Sequence, residues 1–231
     1  MKIAIFYGTP RKGSTYYAAS VFKDEMQKHD SVKFSEFFLP AALPEFCTGC
    51  ALCHSAGNKE CPHERYVTPI LEAVIKADAL VFTTPHYGAC DMPASMKTLF
   101  DHLDFLTLNV SPRSELFAKK AFILTTGAGS AAALKIIKKA LRHWGVNRVR
   151  SCGVRLFADN WKVMPEKRRQ SREKSIRRST RGFYRAKAGI PHPVSFLYYY
   201  ASKFVLRKFV GEGNYPYEWW KEKGYFDKMP L

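Results

Sequence analysis

Acidic side chains are scarce in this sequence: 20 Asp and Glu stand against 37 Lys and Arg in 231 residues, a formal charge of 37 − 20 = +17. Long apolar runs are missing too, and none approaches the roughly 18 residues that a membrane span needs. The opening run, Ile3-Ala4-Ile5-Phe6-Tyr7, is too short for the hydrophobic part of a secretory leader and runs into Gly8-Thr9-Pro10. The expectation is a cytoplasmic protein, soluble or bound only at a surface. The loop after that run lacks the G-x-x-x-x-G-K-S/T spacing of a nucleotide P-loop and the G-x-G-x-x-G of a dinucleotide fold. Apolar residues make up 46% of the chain and aromatics 14%, which excludes a disordered chain. At about 150 residues per domain, the length suits one domain with a sizeable extension.

Three continuous apolar runs read as strands buried on both faces of a parallel sheet: Ile3–Tyr7, Ala79–Phe82 and Ala121–Thr125. Val32-Lys33-Phe34-Ser35 and Val149-Arg150-Ser151-Cys152 alternate instead, as edge strands do. Helical stripes lie between them. Leu134, Ile137, Leu141 and Trp144 share one face, with Ser130 placed to cap that helix and Gly145 to end it. Ile70, Leu71, Val74 and Ile75 form another stripe, with Thr68-Pro69 as its expected start. The alternation of strand and helix predicts an α/β fold, a doubly wound five-stranded parallel sheet of order 2-1-3-4-5. The core is expected over residues 1–160. A helical extension follows over 161–231: a basic helix broken at Pro191-His192-Pro193, an aromatic helix from Val194 to Val210, and a closing segment rich in Trp and Tyr.

Ligands of such sheets bind beyond the carboxyl ends of the strands. The first strand ends in Gly8-Thr9-Pro10-Arg11-Lys12-Gly13-Ser14-Thr15, which offers hydroxyls, backbone N–H groups, an arginine and a helix N-terminus to a terminal phosphate. An ordinary Gly/Pro turn with a Ser/Thr cap reads equally well. The second loop, Thr83 to Pro93, holds Pro85, His86, Tyr87 and Gly88; the third runs Thr125-Thr126-Gly127-Ala128-Gly129-Ser130. Gly88, Gly127 and Gly129 permit close backbone approach to the edge of a flat heteroaromatic ring, and Tyr87 supplies a contact for its face. A lone loop histidine such as His86 is more often locally bonded than catalytic.

Taken in order, these loops resemble those of the flavodoxin-like NAD(P)H-dependent FMN reductases. Gly8 to Thr15 is similar to that family's G-S-P-R-K phosphate loop. Thr84-Pro85-His86-Tyr87, then Ala94-Ser95-Met96-Lys97 and Asp101, is similar to its S-P-x-Y…S-x-x-K…D-R segment, and Tyr215 to Tyr225 to its Y-x-Y-W-K-E-x-G-W tail. The resemblance covers the core to about residue 158. It implies a flavodoxin-like fold in which FMN is held at its phosphate by Thr9, Arg11, Ser14 and Thr15 and flanked at its ring by Pro85–Gly88 and Thr126–Gly129. It further implies NAD(P)H as co-substrate, a quinone, flavin or other small acceptor, and a homo-oligomer, expected as a dimer. No side chain is singled out as acid or base, because the flavin carries the chemistry. Four departures stand out: Thr9 where Ser is usual, His102 in place of the D-R arginine, Pro93 where small flexible residues are common, and an unusually basic linker.

Of six cysteines, four are grouped as Cys47-x₂-Cys50-x₂-Cys53-x₇-Cys61. A dense group in a cytosolic protein points to metal or redox chemistry. Four thiolates, with Pro62 after the last, suit a four-iron, four-sulfur (4Fe–4S) cluster, and the spacing resembles that of the iron–sulfur flavoproteins, a branch of the same fold family. A four-cysteine zinc site and bare thiols or a reversible disulfide are the alternatives. Cys90 reads as a packing residue or a redox thiol near the ring, and Cys152 as structural.

From Lys162 to Lys187 eleven Lys and Arg face only Glu166 and Glu173, a local net of 11 − 2 = +9. Such a stretch is either a solvated helix or a docking surface for an acidic electron-transfer protein. The latter suits the alternative function, an iron–sulfur flavoprotein module fed by a ferredoxin-like donor. In the tail, Phe196, Leu197, Tyr199, Tyr200, Phe204 and Phe209 lie beside Lys203, Arg207 and Lys208. Packing on the core or on a second subunit is favoured over a membrane surface, and no nucleic-acid module is present.

Overall fold

A computed structural model of the chain describes residues 1–87, 92–127, 131–156, 160–188 and 192–229. Five parallel strands, β1 (Lys2–Tyr7), β2 (Lys33–Phe38), β3 (Ala79–Pro85), β4 (Lys120–Gly127) and β5 (Arg148–Arg155), form one sheet of order β2-β1-β3-β4-β5. This is the expected flavodoxin-like order. β1, β3 and β4 occupy the centre and are buried along nearly their whole length. The edge strands run longer than the alternation suggests, because Phe37 and Phe38 extend β2 alongside Phe6 and Tyr7. Phe38 stacks on Tyr7 with ring centroids 4.4 Å apart.

Successive side chains of a strand point to opposite faces, and each face carries its own core. Ala4, Phe6, Leu80, Phe82, Ala121 and Ile123 pack under α3 (Glu64–Lys76), α4 (Ala94–His102) and α6 (Ala131–His143). Ile3, Ile5, Val81, Phe122 and Leu124 pack under α1 (Ser14–Gln27) and α7 (Glu166–Arg185). Two short helices, α2 (Leu52–Ser55) and α5 (Ser114–Phe117), punctuate the connections. α3 begins at Glu64 and not at Thr68-Pro69 as the sequence reading expects: Pro69 sits inside the helix. A proline there removes one backbone hydrogen bond and crowds the preceding turn, but burial of Val67, Ile70, Leu71 and Val74 against the sheet outweighs that cost. α6 ends at Gly145 as expected. Gly145 has φ +89°, and its N–H reaches Arg142 O (3.1 Å) while Val146 N–H reaches Leu141 O (2.8 Å), the paired bonds of a Schellman stop. The cap expected from Ser130, the core end near Phe157 and the break at Pro191 lie outside the described residues.

The basic helix α7 stops at Arg185, and its charge has a polarity. Ile176 and Phe183 are buried in the same core, and the Phe183 ring packs on Phe22 and Phe122. Arg181 and Arg177 donate to the buried carboxylate of Glu25 on α1 at 2.9 and 3.3 Å. Burial pushes the Glu25 carboxyl up, but the hydrogen bonds from Arg181 and Arg177 outweigh it and hold it below its ordinary range. Lys167, Lys174, Arg178 and Arg185 remain exposed. Lys119 and Lys120, at the start of β4, reach opposite faces. Lys119 Nζ donates to Ile75 O at the end of α3 (2.8 Å), and Lys120 Nζ to Tyr184 O at the end of α7 (2.8 Å). Each ammonium meets the negative end of a helix dipole.

The tail forms α8 (Pro193–Val205), a π-turn (Leu206–Val210) and α9 (Tyr215–Glu222). Tyr199 and Trp220 are buried in a small third cluster with Leu206, Tyr225 and Phe226. Trp220 Nε1 donates to Leu108 O (3.0 Å), which docks the tail on the connection before β4. Phe196, Leu197, Tyr200, Phe204 and Phe209 stay exposed. Among the described residues no helix is long and apolar enough to cross a membrane.

Candidate functional site

Parallel pairing brings the carboxyl ends of β1, β3 and β4 to one edge, and backbone bonds tie their loops together. Gly8 N–H donates to Thr83 O (2.8 Å), Ser95 Oγ to Gly8 O (2.9 Å), and His86 N–H to Thr126 O (2.7 Å). Thr15 and Thr126 share a hydroxyl hydrogen bond of 2.6 Å. The expected phosphate loop and the third loop are therefore joined directly, although 111 residues separate these two threonines.

In the first loop Gly13 N–H turns back onto Arg11 O (2.8 Å), and Thr9 Oγ1 accepts from Arg11 N–H (3.3 Å). Gly13 stands at the N-cap of α1 and no side chain caps that end. The first-turn N–H groups are left for an external acceptor, with the positive end of the helix dipole behind them. Thr15 is buried, Thr9 and Ser14 are half-buried, and Arg11 is exposed. Two glycines make a narrow cradle. A Cβ on Gly8 would lie 3.0 Å from Thr84 Oγ1, and one on Gly127, whose φ is +140°, would lie 2.8 Å from His86 Cβ. Pro85 and His86 are half-buried, and Thr126 is buried. Gly88, Ala128, Gly129 and Cys90 lie outside the described residues.

Beside this edge lies an apolar groove of about 280 Å³ lined by Pro40, Leu43, Pro44 and Phe46 on one side and Tyr87, Pro93 and Ala94 on the other. Phe46 is 69% exposed and Tyr87 48%. The sequence reading names Tyr87 but not the 40–46 wall. That wall follows β2, and only the folded sheet carries it to Tyr87.

The four grouped cysteines occupy the same excursion between β2 and α3. The backbone turns tightly there, with Gly49 at φ +69° and Ala51 at φ +58°. Cys47 and Cys50 are exposed; Cys53 and Cys61 are half-buried. A hollow of about 320 Å³ is lined by Cys47, Cys53, His54, Asp101 and Asp104, among others. Burial and then the neighbouring sulfurs of Cys61, Cys47 and Cys50 push the Cys53 thiol up to about 11. A backbone N–H from Leu52 and a hydrogen bond from Thr48 lower that of Cys50. Cys152 is buried between β5 and α7, beside Ser179 and Ser175. Sequence reading gave no role to His63, whose Nδ1 lies 2.9 Å from Nε2 of His102.

The model of the family described as NADPH-dependent FMN reductase matches residues 1–158. The chain belongs to this family. It is accordingly an NAD(P)H-dependent FMN oxidoreductase. Among solved structures it is similar to an NAD(P)H:quinone oxidoreductase from Methanothermobacter marburgensis, at TM-score 0.62 and 17% identity over 80% of this chain and 98% of that one. An NADH:FMN oxidoreductase in its apo form matches at 0.54 and 19% over 84% and 97%. An azoreductase from Bacillus anthracis matches at 0.59 and 15% over 79% and 100%. At these identities the likeness speaks for the fold. No curated protein matches the sequence.

Proposed function

We propose that this reductase uses FMN to pass electrons from NAD(P)H to a small apolar acceptor of the quinone or free-flavin class. The observation that carries the acceptor class is the apolar groove between Phe46 and Tyr87, which opens beside the joined loops. FMN, when bound, supplies a ring that takes up a hydride and gives electrons on. The chain's own part is to bind and orient. Thr9, Arg11, Ser14 and Thr15, with the uncapped start of α1, hold the phosphate. Pro85, His86, Tyr87 and Gly88, with Thr126, Gly127, Ala128 and Gly129, line the ring. The glycine cradle supports this assignment, since a methyl group at Gly127 would fill the space of the approach. The reduced state that four clustered thiols need suits the cytoplasm, and the exposed aromatic face of α8 suits a second copy of the chain. The test is FMN loading followed by NADH and NADPH oxidation with benzoquinone or free flavin as acceptor. Flavin-loaded protein that oxidises neither nucleotide with any acceptor refutes the proposal.

The placing of four cysteines on one tightly turned excursion between β2 and α3 favours a second reading. In it Cys47, Cys50, Cys53 and Cys61 hold a 4Fe–4S cluster, a thiolate set that suits iron, and an acidic electron-transfer protein docks on α7. Docking of that kind slows steeply as salt rises. A rate that ignores ionic strength counts against it.

A further inference from the structure

Cys61, His63 and His102 present one donor atom each within 4.8 Å of the other two. They come from two separate places: Cys61 and His63 flank Pro62 just before α3, and His102 ends α4. His102 is 3% exposed, and its Nδ1 lies 3.0 Å from Thr98 O. A carbonyl only accepts, so that nitrogen carries the ring proton and Nε2 presents a lone pair. The lone pair points at His63 Nδ1, 2.9 Å away. One proton is therefore shared between two imidazole nitrogens beside a thiol. A histidine whose outer N–H is fixed on a backbone carbonyl has the orientation that metal-ligating imidazoles adopt.

We propose that Cys61, His63 and His102, with a water molecule in the fourth position, form a tetrahedral site for a borderline-soft divalent cation of the zinc class. Zinc–nitrogen bonds of about 2.0–2.1 Å at tetrahedral angles set two nitrogens roughly 3.3 Å apart, so the histidines need only part by a few tenths of an ångström. The cation takes the place of the shared proton. His63 shifts that proton to its own Nε2, and Cys61 releases one to solvent, its thiolate offsetting one of the metal's two charges. The site would pin the cysteine-bearing excursion to α4. It also gives a use to His102 at the position where the family resemblance leads one to expect arginine. Cys61 cannot serve this site and a 4Fe–4S cluster together, so the proposal opposes the second reading above and stands apart from the flavin assignment.

The full-length chain, purified without chelator and then stripped, is titrated with Co(II). The expected result is saturation at one metal per chain, with strong visible d–d bands of tetrahedral cobalt and a thiolate charge-transfer band in the near ultraviolet. Cys61→Ser and His63→Gln should abolish this spectrum, whereas Cys47→Ser and Cys50→Ser should keep it. His63 is half-buried and tolerates substitution better than His102, and the unmutated chain's spectrum reads the coordination by itself. Weak bands of octahedral cobalt overturn the proposal. So does a spectrum that needs Cys47 and Cys50 as much as Cys61, or co-purifying iron and acid-labile sulfide that depend on Cys61.

Discussion

Replacing Gly127 by alanine tests the cradle at the edge of the sheet. The backbone there has φ +140°, a region that costs a residue with a side chain about 1–3 kcal/mol. The new Cβ would also stand 2.8 Å from His86 Cβ, with His86 O and N at 3.3 and 3.4 Å behind it. The neighbour is hemmed in by its own backbone, so the loops must separate by about 0.6 Å to restore ordinary contact. Separation weakens the His86 N–H to Thr126 O bond, worth about 1 kcal/mol. The sum is about 2–4 kcal/mol. At about 2–4 °C per kcal/mol for a chain of this size, Tm should fall by roughly 5–15 °C. FMN affinity, read by flavin fluorescence quenching, should fall at least tenfold, since the displaced loop is the one proposed to line the ring. Gly213→Ala is the control. Gly213 has φ +84° with nothing within 4 Å of its Cβ position, so it carries a backbone cost without a collision. If Gly127→Ala melts and binds FMN no worse than Gly213→Ala, close approach at Gly127 is not what the site requires.

Three further outcomes are expected. Thr15→Val removes the hydroxyl bond to Thr126 and should raise the FMN dissociation constant about fivefold, from a loss of about 1 kcal/mol; unchanged equilibrium binding would remove Thr15 from the site. Glu25→Gln should cost about 1–2 kcal/mol at neutral pH, a moderate figure because Arg177 and Arg181 are partly exposed and can turn to water. The folded carboxyl titrates below its ordinary 4.5, so its contribution is present above that value and lost as pH falls through the folded one. Denaturation curves of the two proteins should converge in acid, and a gap that stays constant below pH 4.5 would refute the assignment. Phe46→Ser should raise KM for an apolar quinone about tenfold and leave kcat unchanged, consistent with losing about 1.4 kcal/mol of apolar contact; an unaltered KM would place the acceptor elsewhere.

Ile3–Tyr7 and Ala121–Thr125 are visible in the sequence because strands buried on both faces leave continuous apolar runs. Their order and the loops after them follow from the same pattern, and Gly, Thr and Ser at the strand ends mark the edge where ligands bind. Other features depend on partners that a linear reading does not bring together. Pro69 looks like a helix start because proline favours the first turn, yet the stripe Val67–Val74 carries the helix back to Glu64. Phe37 and Phe38 break the alternation that would have announced the rest of β2. The 40–46 wall meets Tyr87 only across the sheet, and His63 finds His102 from 39 residues away. No local periodicity encodes either meeting.

The seating of Ile176 and Phe183 separates two boundaries that usually coincide. The match to the reductase family's model stops at residue 158, but Phe22 and Phe122 are covered by a side chain 25 residues later. A chain cut at 158 would keep the described strand-end loops and still expose a wide apolar face, so it should clump where the longer chain stays dispersed. On the same helix Lys167, Lys174, Arg178 and Arg185 take no part in that seating and stay exposed. Solubility and partner choice can therefore be tuned on one side of α7 without disturbing the layer that its other side completes.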